Sequence, residues 1–150
     1  MFDAIAAGAA AESPVWGDAL RPDEDRAREA VFSSLAPAEH RLGLETIYEG
    51  YLVHYGRSRL FAQPDRDTAL LLGDYLYAHG LVRIAETGDV RAVSALAELI
   101  SRCAHLRAEG SDGDGAEWVS TSTSLGGGTA VGASTEATAA ALAAHARLVG

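Results

Sequence analysis

The stretch LLLGDYLYAHGLVRIAETGD, residues 70–89, is a long apolar run with one acid near its middle and a Gly-Asp turn at its end. A helix with apolar side chains nearly all round is buried on every side. A carboxylate in such a helix is costly unless it is paired or hydrogen-bonded. We therefore expect Asp74 to be a buried structural acid, which either pairs with Arg57, Arg59 or Arg83 or caps a neighbouring helix.

Proline, glycine and capping side chains divide the rest of the chain into helices. Helix starts are expected at Pro22, Pro37, Pro64, Asp89, and Ser134 or Thr135. The segment GSDGDG at 110–115 is expected to be a flexible loop, and 120–134 favours neither helix nor strand. Because no strand alternation persists, the sequence predicts an all-α fold, with a flexible Ala-rich N-terminus at 1–21 and a single helical domain at 22–150.

Composition excludes several classes of function. The chain has 150 residues and a net charge of −9, and its twelve basic residues are all arginine. Nucleic acids and anionic membrane surfaces both require clustered positive charge, so neither is an expected partner. No run reaches the roughly 18 apolar residues of a transmembrane segment. Cys103 is the only cysteine, which excludes an internal disulfide and favours a cytoplasmic protein.

Two parts of residues 70–89 resemble the polyprenyl synthetases, the trans-prenyltransferases that build isoprenoid diphosphates. The matches to a family helix and to the turn after it are Leu72, Gly73, Asp74, Tyr75, Leu76, Ala78, Gly88 and Asp89. ETIYE at 45–49 stands where the family has its first aspartate-rich motif. TAVGASTEATAAALAAHARLVG at 129–150 is similar to a later segment. The resemblance implies a partial isoprenoid-synthase-like helical bundle.

The resemblance also implies a damaged metal site. Glu45 and Glu49 keep the i, i+4 spacing of Mg²⁺ ligands on one helix face, and we expect that face to be exposed. Thr46 replaces the middle acid, the arginine pair after the motif is missing, and no second aspartate-rich motif occurs in these 150 residues. The sequence therefore predicts no catalytic residues and only a weak, degenerate metal site at Glu45 and Glu49.

An aromatic stripe follows the same helix. Tyr48, Tyr51 and Tyr55, with Leu52, recur at helical spacing. They are core residues, a dimer surface, or, as the resemblance implies, the wall of a tunnel for an isoprenoid chain.

These features predict a non-catalytic, isoprenoid-synthase-like pseudoenzyme that is a binding or structural subunit. A homo-oligomer or a protein partner is expected, with the isoprenoid tail of a quinone or prenyl carrier as candidate ligand and no cofactor. One alternative is a regulatory small subunit of a prenyl diphosphate synthase. Another is a residual prenyltransferase, the only hypothesis that requires Mg²⁺.

Overall fold

The computed structural model describes residues 1–62, 64–126 and 133–150, and over these ranges the protein is all-α. The predicted fold class is therefore confirmed, while the likeness to an isoprenoid synthase stays a prediction. Seven α-helices follow in chain order: α1 Phe2–Glu12, α2 Pro14–Asp18, α3 Arg41–Tyr55, α4 Arg66–Ala85, α5 Val90–Glu109, α6 Asp114–Ser124 and α7 Thr135–Val149. Within the described ranges, no helix is both long enough and apolar enough to span a membrane.

Local capping explains where the long helices begin and end. The Asp65 carboxylate accepts hydrogen bonds from backbone N–H groups of the first turn of α4. Asp89 does the same for α5 and Ser134 for α7, so these predicted starts are confirmed. Gly110 ends α5 at φ 64°, a left-handed conformation that glycine adopts without steric cost.

The segment 22–36 does not form the expected helix. It contains two short 3₁₀ turns separated by non-helical backbone. The Ala27 N–H donates to the Arg59 carbonyl (3.1 Å), and the Glu29 carbonyl accepts from the Arg59 side chain (2.7 Å). These backbone groups bond to a distant loop instead of to one another, which is why the local helix signal is overridden.

Residues 1–21 also differ from the expected flexible terminus, because they contain α1 and α2. Phe2, Ile5 and Ala9 lie on one face of α1 and are buried. They pack on Leu60, Phe61, Leu72 and Leu76 to form a second, smaller core. The apolar residues of the N-terminus therefore complete a core that the rest of the chain leaves open.

The close antiparallel pair α3–α4 is the centre of the fold. A Cβ atom added to Gly80 would lie 2.9 Å from the Gly43 carbonyl oxygen, and one added to Gly50 would lie 2.9 Å from the Gly73 carbonyl oxygen. Both distances are too short for a side chain. Glycine at seven-residue spacing on each helix therefore lets the two backbones come into contact, and Gly73 has this role next to Asp74.

Candidate functional site

A buried ion-pair triad lies where the resemblance places a metal site. Glu45 and Glu49 are 0% exposed and Arg59 is 2% exposed. The guanidinium lies 2.8 Å from Glu45 Oε2 through Nη1 and 2.9 Å from Glu49 Oε2 through Nε. The two glutamates do share one helix face, but that face is buried, contrary to the sequence expectation.

The remaining carboxylate oxygens of the triad bind backbone N–H groups. Glu49 Oε1 accepts from Arg59 N–H (2.9 Å) and Leu60 N–H (3.0 Å), and Glu45 Oε1 accepts from Val31 N–H (3.1 Å). Burial by itself lowers the pKa of Arg59, but the two carboxylates outweigh it and hold that pKa above the ordinary value. The triad therefore carries an internal cation and joins α3 to two loops.

The cation between the glutamates changes what this site can do. A divalent ion bridging Glu45 and Glu49 would have to displace the Arg59 guanidinium from a desolvated position. Within the described residues, no group of three or more His, Cys, Asp or Glu side chains could hold a metal ion. From the sequence, Arg59 is a candidate partner of Asp74 only, although two acids in a largely apolar helix also require a counter-charge.

Asp74 also differs from its expectation. Its side chain is 64% exposed, and its partner is His54 of α3, with Asp74 Oδ1 3.2 Å from His54 Nε2. The His54 ring lies against Gly73, where a Cβ atom would overlap it. Burial lowers the pKa of His54, and Asp74 only partly opposes this effect. Asp74 is therefore a surface acid beside a glycine contact and not a buried structural acid.

The proposed tunnel residues lie in the larger of the two hydrophobic cores. Tyr48, Tyr51 and Leu52 are 0% exposed, and Tyr55 is half-buried. The Trp118 ring packs 5.0 Å from the ring of Tyr48 and 5.6 Å from that of Tyr51, centroid to centroid. Aromatic neighbours on several helices thus contact these side chains closely, which is the packing of a core.

A second polar network crosses this aromatic core. Asp114 at the start of α6 accepts hydrogen bonds from the Tyr51 hydroxyl and from Arg107 Nε (2.9 Å). The Tyr48 hydroxyl lies 3.0 Å from His145 Nδ1, and His145 Nε2 lies 3.6 Å from Asp114 Oδ1. Burial opposes ionisation of Asp114, but the bonds from Tyr51 and Arg107 lower its pKa. The network joins α3, α5, α6 and α7.

Within the described residues, the outward face of α4 is the clearest exposed apolar surface. We call Leu71, Ala78, Val82 and Ala85, which are all exposed, the outer strip. The exposed fraction is 61% for Leu71 and 52% for Val82, and the adjacent Leu70 is 55% exposed. The expectation that α4 is buried on all sides is therefore wrong for this face.

Exposed acids lie beside the outer strip. Asp67, Asp74 and Glu86 are each one helical turn, or nearly one, from a member of the strip. The basic side chain nearest to it in sequence, Arg83, turns towards α1 and α3, where it donates to the Ala4 carbonyl and to Thr46. The outer strip is thus an apolar stripe with a negative border.

Comparison of the chain with protein-family models, curated proteins and solved structures finds no match.

Proposed function

We propose that this chain is a non-catalytic binding subunit that uses the outer strip of α4 to dock a basic amphipathic helix of another protein. The observation that carries the proposal is a stripe of exposed Leu, Ala and Val on a rigid central helix, bordered by carboxylates. Leu71, Ala78 and Val82 lie seven and four residues apart, which is the spacing of helix-in-groove recognition.

The spacing of the outer strip suits a single helix. Ala78 is small and lies between Leu71 and Val82 along α4, so a large apolar side chain of the partner helix can sit over it. Complete burial of a Leu or Val side chain contributes about 1.5–3 kcal/mol, and roughly half of that remains for side chains that are already half-covered. Leu71 and Val82, the two large side chains of the strip, therefore contribute roughly 1.5–3 kcal/mol together. Binding in the micromolar range, about −8 kcal/mol, also requires a contribution from charge.

The negative charge beside the outer strip determines which kind of partner it favours. Asp67, Asp74 and Glu86 border the strip, and the whole chain carries a net charge of −9. A second copy would bring the same acids to the same border, and like charges at a contact oppose association. A helix with arginine or lysine beside its apolar face would instead complement the border and associate faster.

The proposal retains the protein-partner part of the sequence hypotheses. It holds for a structural subunit and for a regulatory subunit of a synthase, since both act through protein contacts. A residual Mg²⁺-dependent enzyme is less well supported, because Arg59 occupies the position between Glu45 and Glu49. The packing of Tyr48 and Tyr51 against Trp118 likewise lends no support to an isoprenoid ligand.

The test is binding of a designed helical peptide with a leucine stripe and arginine on both borders, followed by fluorescence anisotropy. A glutamate-bordered peptide and a sequence-scrambled arginine peptide are the probe controls. Leu71→Asp and Val82→Asp should each weaken binding about tenfold or more, the effect of losing roughly 1.4 kcal/mol. Ala143→Asp, which adds the same charge on an exposed position of α7, should leave binding unchanged.

Three results would contradict the proposal: equal binding of the scrambled peptide, equal binding by the Leu71→Asp protein, or tighter binding of the glutamate-bordered peptide. A concentration-dependent dimer that Leu71→Asp dissociates would show that the strip binds a second copy instead.

A further inference from the structure

The loop between α5 and α6 contains two Asp-Gly dipeptides in different surroundings. Asp112 is exposed, and Gly113 has φ 122° with nothing within 4 Å of the position that a Cβ atom would occupy. Asp114 is only 8% exposed and is the first residue of α6. Within the described residues, no hydrogen bond holds the Asp112 carboxylate or the Gly113 N–H.

Asp-Gly sequences can rearrange without any enzyme. The backbone nitrogen of the glycine attacks the side-chain carboxyl carbon of the aspartate, an N–C bond forms, a C–O bond breaks, and one water leaves. The five-membered succinimide then takes up one water at its main-chain carbonyl, which yields isoaspartate. The reaction removes and returns one water and involves no oxidation. Glycine favours it because it has no side chain to hinder the attack.

We infer that Asp112-Gly113 is a site of spontaneous conversion to isoaspartate and that the fold protects Asp114-Gly115 from the same reaction. Asp112 lies in an exposed loop where its side chain and the next backbone nitrogen can approach each other. Gly113 keeps the peptide accessible, because the space that a Cβ atom of this residue would occupy is open. The site is thus defined by the loop geometry as well as by the dipeptide.

Three contacts protect Asp114. Its Oδ2 accepts hydrogen bonds from Tyr51 and Arg107, which orient the carboxylate towards α3 and α5. Its Oδ1 also accepts the Gly115 N–H at 3.0 Å, and both residues lie in the first turn of α6, where the helical backbone resists the rotation that ring closure needs. Tyr51 and Arg107 also lower the pKa of Asp114, which opposes the protonation that loss of water requires.

Conversion at Asp112 would affect the polar network behind it. Isoaspartate adds one methylene to the main chain and shortens the side branch, two residues before Asp114. The first turn of α6 would have to shift relative to Arg107. The modification therefore loosens the contact between Arg107 of α5 and Asp114 of α6.

The test is incubation of the folded protein at neutral pH in water enriched in the heavy oxygen isotope, with peptide mapping that distinguishes isoaspartate from aspartate. Residue 112 should convert at least about tenfold faster than residue 114 in the folded protein, as local structure protects only the latter. In denaturant the two rates should agree within about threefold. Asp112→Glu, which closes a less favourable ring, is the matched control and should abolish conversion at 112.

Absence of isotope at residue 112 in the folded protein would overturn the inference. Conversion of residue 114 as fast as residue 112 before denaturation would overturn the protective role of the Tyr51 and Arg107 contacts.

Discussion

At the scale of single residues, burial and partners decide which acids matter for stability. Glu45 and Glu49 share one guanidinium at 0% exposure, whereas the Asp74 side chain is 64% exposed. Removal of one member of a buried ion pair leaves an uncompensated charge, but an exposed pair contributes little. Glu45 and Glu49 should therefore contribute more to stability than Asp74. The apolar sequence around Asp74 indicates the opposite order.

We expect Glu49→Ala to lower the free energy of unfolding by about 3–5 kcal/mol, because it leaves the Arg59 side chain without its Nε partner. Asp74→Ala should lower it by less than about 1 kcal/mol. Chemical denaturation of both variants measures the difference, with the exposed Glu136→Ala as the control. Equal losses for Glu49→Ala and Asp74→Ala would contradict the assignment of the triad.

Acid should destabilise the protein through His145, one of two buried histidines in the described residues. Burial lowers the pKa of His145 below its ordinary value of 6.5, and Asp114 only partly opposes this. The unfolded chain then binds more protons near pH 6, so the free energy of unfolding falls as pH decreases through the unfolded pKa.

Denaturation experiments at several pH values near 6 should show that the free energy of unfolding falls as the pH decreases. His145→Gln should reduce the slope of this dependence by at most about 1.4 kcal/mol per pH unit. His105→Gln, at an exposed position of α5, is the matched control for the substitution of histidine by glutamine. An unaltered slope in His145→Gln would show that other groups carry the acid sensitivity.

At the scale of secondary-structure elements, glycine sets the distance between α3 and α4. Alanine normally stabilises a helix relative to glycine by about 0.5–1 kcal/mol. At Gly80 the new methyl group would lie 2.9 Å from the Gly43 carbonyl oxygen and would also overlap Ile47, so the helices would have to separate. The packing cost should exceed the helix-propensity gain.

Gly80→Ala should therefore lower the free energy of unfolding by about 1–3 kcal/mol, the usual cost of overpacking. Gly17→Ala in α2 is the matched control, because its methyl group would meet Ala10 at an ordinary 3.6 Å. Thermal denaturation should show a lower midpoint for Gly80→Ala and an unchanged or higher midpoint for Gly17→Ala. A stabilised Gly80→Ala protein would mean that the two helices are not in backbone contact.

At the scale of the whole molecule, the described helices close two cores and leave the outer strip of α4 exposed. The main core lies around Phe32, Tyr48 and Trp118, and the smaller one lies under α1. Both are completed by the chain itself. The excess of acids, 21 against 12 basic residues, acts against self-association at the outer strip.

Light scattering at micromolar concentration should therefore give a mass near the 15.6 kDa of one chain. Higher salt should increase self-association, if it has any effect, because it screens the acids that border the strip. Leu71→Asp is the comparison variant and should have the same mass as the parent. A stable dimer at low salt would contradict the proposed partner chemistry.

Local sequence signals predict the helical class and the starts of the long helices α4, α5 and α7 correctly. Capping by Asp65, Asp89 and Ser134, and the left-handed Gly110, are interactions within a few residues, so they can be read locally. Contacts between distant parts of the chain are needed to explain why 22–36 is largely non-helical, why Glu45 and Glu49 are buried, and why Asp74 is exposed. Each of these depends on a distant partner: Arg59 for the first two and His54 for the last. A helix that is apolar nearly all round, such as α4, has no periodic pattern to show which face its neighbours cover.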